Sequence, residues 1–316
     1  MNSLKIIFAG TPDFAVLAME SLHEANYKIV GVLTQPDRPS GRGLKLNPSP
    51  VKVKANQLNI PVYQPSELKS KESYEALAAV DFNVMIVAAY GLIIPQSILD
   101  LPSLGCFNIH ASLLPRWRGA APIHRAILMG DEKTGVTIMR LVQKLDAGDM
   151  VKKVEVKIDK KDTTEKLTKK LAKLGAHLMT EVINELIEKG TLQSIAQDEA
   201  SVTYAEKVTK EEAKIDWEDS AIVIARKIHA FNAYPIAQTQ YHGKICKIWD
   251  AEPIEVIDVE QTVKAGQFIK LDESIYVKCG EGVLLVKELQ MPNGKRLHAK
   301  DFIAGYRLTL NDSFKS

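Results

Sequence analysis

The sequence has few cysteines, and those it has are far apart. Cys106, Cys246 and Cys279 are the three cysteines of the 316-residue chain. An odd number of widely separated thiols excludes a disulfide framework. No Cys or His cluster has the spacing of metal ligands, so we expect no metal. This cysteine usage is typical of a protein from a reducing compartment.

Long hydrophobic runs and a large excess of one charge are also missing. Every apolar run is shorter than the roughly 20 residues of a membrane span, so we expect no membrane partner. Because Met1–Leu4 leads directly into an apolar run, we expect no signal or transit peptide and a cytoplasmic location. The formal net charge of +2 does not by itself indicate a nucleic-acid partner. The length allows about two domains.

Apolar runs alternate with a helical pattern near the start of the chain, which predicts a parallel α/β sheet. Lys5–Gly10 and Ile29–Thr34 read as buried strands on either side of a helix that begins at Asp13. Phe82–Tyr90 and Leu104–His110 are further strands of this kind. The first strand–helix turn has no Gly-x-Gly-x-x-Gly pattern, which makes a nicotinamide dehydrogenase the least favoured function.

A pair of polar side chains interrupts the last of these strands. Asn108 and His110 are two residues apart, which places both side chains on one face of a strand. A turn follows, at the sheet edge where open α/β sheets bind ligands. Two hydrogen-bond donors there can stabilise an oxygen that gains negative charge, and no nucleophile elbow accompanies them. Taken alone, the pair also fits a hydrogen-bonded strand end without a catalytic role.

An aspartate follows a later strand pattern. Gly135–Leu141 has strand-like alternation, and Asp146 comes after it in a loop that contains Gly148. If the loop reaches the same edge as His110, the carboxylate could orient the imidazole or handle a water. The alternative is an ordinary turn aspartate.

The segment 35–54 interrupts the α/β pattern. Four prolines and two glycines predict no regular element in its first half. Its five basic residues are accompanied by one acid, Asp37, which gives a local balance of +4. A long basic loop beside a ligand-binding edge indicates a phosphate-rich partner, with a solvated mobile loop as the alternative.

The second half of the chain has a different pattern. A helix is expected to end near Lys189, and a polar stretch without periodicity follows at residues 191–209. Ala221–Phe231 is helical, with Ile222, Ala225, Ile228 and Phe231 on one face. Several short strand-like runs come after Pro235 and predict a small β-barrel. From Glu206 onward there are 16 basic and 17 acidic residues, so any nucleic-acid contact there needs a local patch.

Several segments in a fixed order match a known family. Asn108–Pro115 is followed directly by Arg116–Ile123, and later by Leu145–Asp149. Together they resemble the signature of the folate-dependent formyltransferases. Phe8–Pro12 and Lys210–Trp217 resemble the same family, so the resemblance covers nearly the whole chain.

The resemblance implies an α/β fold, a Rossmann-like formyltransferase domain followed by a small OB-like β-barrel domain. We expect the catalytic domain at residues 1–190, a linker at 191–209 and an OB-like tRNA-binding domain at 210–316. The implied reaction transfers the formyl group of the cosubstrate 10-formyltetrahydrofolate to the α-amino group of methionyl-initiator tRNA, for translation initiation. The implied protein is a monomer that needs no metal.

The resemblance also assigns roles to residues. Asn108, His110 and Asp146 match the catalytic residues of the family. The residues that would bind the folate lie in two turns and are Ser112, Leu113, Leu114, Pro115, Tyr90, Gly91 and Leu92. The basic segment 35–54 resembles the tRNA-contacting insertion of the family, with Arg38, Arg42 and Lys45 as the contacts.

Three other functions share parts of this pattern. A formyltransferase for a small amine, such as a nucleotide-linked amino sugar, would use the same catalytic residues. A hydrolase that removes the formyl group from the folate would use water as the acceptor. An RNA-binding protein could retain the scaffold without activity. The basic segment and the second domain argue against the first, and the intact catalytic residues argue against the last.

Overall fold

The computed structural model of the chain describes residues 4–40, 45–254 and 262–316. Internal contacts divide the chain into two compact units. What we call the first unit consists of residues 1–122, 133–157 and 168–205, and the second unit of residues 123–132, 158–167 and 206–316.

The first unit is built on a mostly parallel sheet. Its strands are β1 (Lys5–Gly10), β2 (Lys28–Leu33), β3 (Arg38–Ser40), β4 (Lys45–Asn47), β5 (Val62–Tyr63), β6 (Val84–Ala88), β7 (Cys106–His110), β8 (Arg118–Gly119), β9 (Lys133–Arg140), β10 (Met150–Lys157) and β11 (Tyr204–Ala205). Among the described residues, seven of these form one sheet in the order β10-β9-β7-β6-β1-β2-β5. The strands from β7 to β5 run parallel, while β9 and β10 are antiparallel additions. The predicted Rossmann-like sheet is confirmed.

Six helices lie before residue 190 in the described parts of the chain, and the predicted start of the first and end of the last agree with the structure. They are α1 (Asp13–Glu24), α2 (Pro50–Gln57), α3 (Lys71–Ala78), α4 (Gln96–Leu99), α5 (Pro122–Met129) and α6 (Thr164–Lys189). Ser49 caps α2 by accepting a hydrogen bond from the Lys52 N–H, with Pro50 at the first helical position. Gly190, with φ of +71°, ends α6 in the left-handed conformation that glycine tolerates.

The basic segment contains a short ribbon that the sequence did not predict. β3 and β4 pair antiparallel, with Arg38 opposite Asn47 and Pro39 opposite Leu46. We expected no regular element there because of its prolines. A short edge strand accepts a proline where the N–H that proline lacks would donate no hydrogen bond to a neighbouring strand. Residues 41–44, including Arg42, lie outside the described residues.

The polar stretch after α6 is bound to the first unit as far as Ala205. Ile195 forms a bridge with Met150, and β11 pairs parallel with β8. Both Trp117 and Arg118 donate backbone hydrogen bonds to Thr203. This stretch of sequence therefore lacks periodicity because its backbone is irregular, although it is hydrogen-bonded to the rest of the first unit.

The second unit contains a curled antiparallel sheet. Its later elements are α7 (Ala221–Phe231), β12 (Gln238–Tyr241), β13 (Lys244–Ile254), β14 (Phe268–Leu271), β15 (Ile275–Lys278), β16 (Val283–Gln290), β17 (Leu297–His298) and α8 (Ala299–Tyr306). The strand order is β12-β13-β16-β15-β14, with β17 on β16. Near the C-terminus, Ser313 bridges Gln267 and Lys315 bridges Gln240, so the last residues join both outer strands. This arrangement is consistent with the small barrel-like domain expected from the sequence.

Aromatic side chains pack together inside this sheet. Trp217 and Phe314 stack with ring centroids 5.5 Å apart, and Tyr241 packs edge-on against Phe314. On α7, Ala225 and Ile228 are buried as expected. Ile222 is 48% exposed, so its predicted place on the buried face is wrong. Across the parts of the chain that the structure describes, no helix has the length and apolarity to cross a bilayer.

Candidate active site

The Asn108 and His110 side chains lie at the carboxyl end of β7. This strand pairs parallel with β6 and antiparallel with β9, which fixes its pleat and places both side chains on one face. His110 is buried and Asn108 is partly exposed. No group among the described residues hydrogen-bonds the Asn108 side chain, so its amide remains available for a ligand.

One hydrogen bond determines which nitrogen of His110 can react. His110 Nε2 lies 2.8 Å from the backbone oxygen of Trp117. A carbonyl only accepts, so Nε2 must carry a hydrogen and donate it. Nδ1 is therefore the ring nitrogen left for chemistry, and it faces the Asp146 carboxylate.

Asp146 approaches His110 by a path that the strand pattern does not reveal. We expected the loop after β9 to lie at the same edge as the end of β7. However, β9 is antiparallel to β7, with Arg140 opposite Phe107 and Thr137 opposite His110. The end of β9 thus lies at the start of β7, and the loop has to turn back to bring Asp146 to the imidazole.

The Asp146 carboxylate is held beside the ring with a gap between them. Oδ2 accepts a 2.8 Å hydrogen bond from the Gly119 N–H and lies 3.6 Å from His110 Nδ1. That separation is too long for a good direct hydrogen bond. A water or a reacting atom that touches both groups fits this spacing. Both side chains are largely buried, at 6% and 11% exposure.

Two glycines allow the loop and the turn to approach their neighbours so closely. A Cβ at Gly148 would lie 1.8 Å from the backbone oxygen of Arg140. Gly119 has φ of +118°, and a Cβ there would lie 2.8 Å from the oxygen of Ala205. Both positions therefore need glycine, for space at Gly148 and for conformation as well at Gly119.

The turn predicted to bind folate is held by its own hydrogen bonds. The Ser112 hydroxyl donates to the Arg116 oxygen, and Thr137 Oγ1 donates to the Ser112 oxygen. Ser112 and Leu114 are buried, whereas Leu113 and Pro115 are partly exposed. Leu113 and Pro115 are the members of this turn that a ligand can reach directly.

The second turn of the predicted folate site follows β6. The Tyr90 backbone oxygen accepts hydrogen bonds from Thr11 Oγ1 at 2.9 Å and Gln35 Nε2 at 3.1 Å. These three residues come directly after β6, β1 and β2, at the carboxyl edge of the parallel sheet. Gly91 is exposed and Leu92 is partly exposed. The Tyr90 hydroxyl is buried and has no partner among the described groups.

Two of the five basic residues in segment 35–54 have their charges neutralised. Lys52 Nζ lies 2.7 Å from Asp37, and this hydrogen bond holds the pKa of the Asp37 carboxyl below its usual range. Lys54 Nζ lies 2.6 Å from Glu20. The other basic residues of the segment are Arg38, Arg42 and Lys45. Arg38 is exposed.

Sequence reasoning missed two residues that support the site. Arg118 is fully buried and donates from Nε to Gln197 Oε1 at 3.0 Å. Gln197 donates from Nε2 to the backbone oxygens of Asp146 and Gly148, both at 2.8 Å. Gln197 lies in the polar stretch without periodicity, so the sequence contains no local signal for this contact. In the described ranges, no group of three His, Cys, Asp or Glu side chains is arranged to hold a metal ion.

A Rossmann-like sheet that brings an amide, an imidazole and a carboxylate to one strand end defines an enzyme for polar group transfer. The chain belongs to the formyl transferase family. It matches the formyl transferase family over residues 2–183 and the formyl transferase C-terminal domain over residues 207–307.

Two relatives that match over nearly the full length have the same name. Methionyl-tRNA formyltransferase of Methylobacillus flagellatus is 49% identical over 99% of this chain and 100% of its own length. The protein of the same name from Herminiimonas arsenicoxydans is 50% identical over 96% of this chain and 98% of its own.

Solved structures share the fold at low identity. An N-formyltransferase from Helicobacter canadensis has a TM-score of 0.68 and 19% identity, over 90% of this chain and 98% of its own. HypX from Aquifex aeolicus has a TM-score of 0.64 and 17% identity over 97% of this chain. The chain spans about half of HypX, 48% of its length.

Proposed function

We propose that this protein transfers the formyl group of 10-formyltetrahydrofolate to the α-amino group of methionyl-initiator tRNA. The product is N-formylmethionyl-tRNA for translation initiation. The observation that carries the reaction type is the 3.6 Å approach of His110 Nδ1 and Asp146 Oδ2 on the strand face that also holds Asn108. The choice of acceptor is supported by the name of the full-length relatives.

The residues at the carboxyl edge of the sheet fit a folate donor. Gly91, Leu92, Leu113 and Pro115 offer accessible backbone and apolar surface for a flat heterocycle. The Tyr90 hydroxyl, buried and without a partner in the part of the chain that the structure describes, is an unsatisfied polar group in the same turn. When bound, the cosubstrate supplies the electrophilic formyl carbon.

Asn108 and His110 act on the formyl oxygen. The neutral amine attacks the formyl carbon, and negative charge develops on this oxygen. The Asn108 amide N–H and the His110 Nδ1–H donate to it. Nε2 stays bound to the Trp117 oxygen throughout, so the ring does not rotate. The doubly protonated ring that this role requires has its charge compensated by Asp146.

Asp146 handles the proton. The attacking nitrogen must lose a proton, and the departing folate nitrogen must gain one. Asp146 Oδ2 accepts the proton directly or through a water in the gap beside Nδ1, and passes it to the leaving nitrogen. Because both substrates bind on one rigid edge, the transfer is effectively unimolecular.

The two predicted domains take different tasks in this proposal. Residues 1–190 form the catalytic domain, 191–209 connect the domains, and 210–316 form a tRNA-binding domain. Arg38, Arg42 and Lys45 contact phosphates of the tRNA. The protein acts as a monomer in the cytoplasm, where initiator tRNA is used. Sedimentation at micromolar concentration tests the monomer.

The reaction is tested by incubating the purified chain with 10-formyltetrahydrofolate and methionyl-initiator tRNA, and releasing the amino acid from the tRNA. The proposal expects N-formylmethionine. A folded preparation that yields methionine alone contradicts it.

Variants of the site test the assigned roles. His110→Ala and Asp146→Asn should lower kcat by at least about 10²-fold, since each removes a proton or charge interaction of the transition state. His177→Ala and Asp149→Asn are matched controls at exposed positions and should retain activity. Unfolding in urea should show that all four variants are folded. Nearly normal turnover in either site variant would remove that residue from the mechanism.

A further inference from the structure

We propose that Gln197 is a positioning residue that holds Asp146 against His110. This inference rests on the proposed function, because it assigns Gln197 a part in the same reaction. Gln197 touches neither reacting atom. It acts through the backbone of the loop that carries the carboxylate.

The contacts of Gln197 are buried and converge on that loop. Its Nε2 donates to the backbone oxygens of Asp146 and Gly148, both at 2.8 Å. Its side chain is 8% exposed overall. One amide thus satisfies two carbonyls on either side of Ala147, which fixes the local path of the chain.

Arg118 determines the orientation of this amide. Arg118 Nε lies 3.0 Å from Gln197 Oε1. A guanidinium has only donors, so the side-chain oxygen of Gln197 must face it. The NH₂ group then has to face the two carbonyls, which only accept. The chemistry of the neighbours leaves a single orientation.

The backbone of Asp146 needs such a constraint. Its φ is +46°, in the left-handed region that a residue with a Cβ adopts only at a cost. Such conformations persist where surrounding contacts over-determine them. The two hydrogen bonds from Gln197 and the 2.8 Å bond from the Gly119 N–H to Oδ2 supply that constraint.

Arg118 also links the contacts of Gln197 to His110. Arg118 lies between Trp117, whose oxygen accepts from His110 Nε2, and Gly119, whose N–H donates to Asp146. The Arg118 N–H donates to the Thr203 oxygen at 2.9 Å. One short turn therefore positions both catalytic groups, and Gln197 joins its buried side chain to the loop of the carboxylate.

Gln197→Glu keeps the hydrogen bond that residue 197 accepts and removes the two that it donates. A carboxylate at 197 still accepts from Arg118 but cannot donate to the two carbonyls. We expect kcat to fall about tenfold to a hundredfold, with KM for both substrates changed by less than about twofold. Gln197→Met removes all of these hydrogen bonds and should lower kcat at least as much. Gln193→Glu, the same change at an exposed residue of the same segment, should leave kcat unchanged.

A spectroscopic readout tests positioning without activity. The Gly119 amide proton donates to a carboxylate and should resonate downfield in NMR spectra of the wild type. Gln197→Glu and Gln197→Met should shift it upfield, as Asp146→Asn does, while Gln193→Glu should not. A structural role alone would lower stability without moving this resonance in the folded variant.

The outcomes separate this inference from the proposed function. If the Gly119 resonance shifts in Gln197→Glu but the wild type does not formylate tRNA, the proposed reaction is contradicted and the positioning role of Gln197 is retained. If Gln197→Glu has wild-type kcat and an unmoved Gly119 resonance, the positioning role is contradicted, whatever the acceptor is. If Gln197→Glu does not fold, the Gln197→Met variant decides by the same two measurements.

Discussion

Single residues of the candidate site are already held in place by hydrogen bonds to the rest of the protein. His110 uses Nε2 on a carbonyl, Asp146 uses Oδ2 on the Gly119 N–H, and Ser112 uses its hydroxyl within its own turn. Such bonds restrict each side chain to one orientation before substrate binds. If these residues act as proposed, this orientation reduces the freedom that has to be lost in the transition state.

Tyr90 offers a prediction at the same scale. Its hydroxyl is buried without a partner among the described residues, and burial raises its pKa. Tyr90→Phe removes an unsatisfied polar group, so the free energy of unfolding without ligand should rise by about 1 kcal/mol. Tyr27→Phe is the matched control, since Tyr27 donates to Asn184. It should lower the same quantity by about 0.5–1.5 kcal/mol. A loss of stability in Tyr90→Phe in urea titrations would contradict this reading.

The sequence could predict some of these residues and not others. Asn108 and His110 follow from alternation along one strand, which is a local property. The approach of Asp146 depends on a loop turning back along an antiparallel strand. Gln197 depends on a contact across 51 positions in sequence. Neither contact is encoded in a local pattern, although the family motif predicted a role for Asp146.

At the scale of elements, the β3–β4 ribbon is where the basic segment differs from its sequence pattern. Prolines suggested an irregular loop, yet two short strands pair there. Ion pairs with Asp37 and Glu20 neutralise Lys52 and Lys54, which both lie in α2. The other three basic residues of the segment, Arg38, Arg42 and Lys45, are those predicted to contact tRNA.

Charge removal in the basic segment should change how tRNA binding responds to salt. Arg38→Ala and Arg42→Ala should each raise KM for tRNA and reduce the slope of log Kd against log salt by about 1, the loss of one phosphate contact. Lys71→Ala, an exposed lysine on α3 paired with Glu75, should leave the slope unchanged. Equal slopes in wild type and in both arginine variants would exclude the ribbon from the tRNA interface.

At the scale of the whole molecule, the three thiols report on the integrity of both units. Cys106 belongs to the first unit, and Cys246 and Cys279 belong to the second. Burial raises the pKa of each thiol to about 12. At pH 8 only about one thiol in ten thousand is then ionised, and none is accessible.

A thiol reagent such as Ellman's reagent should therefore label no cysteine of the native chain within minutes at pH 8. The same reagent in guanidinium chloride should label all three cysteines. Rapid labelling of one thiol in the native protein, located by peptide mapping, would show that its unit opens readily.

Both halves of the fold were predictable from pattern, because strand and helix periodicities are strong in each. The strand runs predicted after Pro235 appear in the structure as β12 to β16. The sequence pattern did not predict that residues 195–205 are attached to the first unit. This attachment includes pairing of β11 with β8, which is far away in the sequence.

The proposed function is tested most directly by formyl transfer from 10-formyltetrahydrofolate to three acceptors assayed in parallel. These are charged initiator tRNA, charged elongator methionine tRNA and free methionine. We predict rapid formylation of the initiator tRNA and little or none of the other two. Consumption of the folate without formylated tRNA would contradict it and would indicate a small-amine acceptor or hydrolysis.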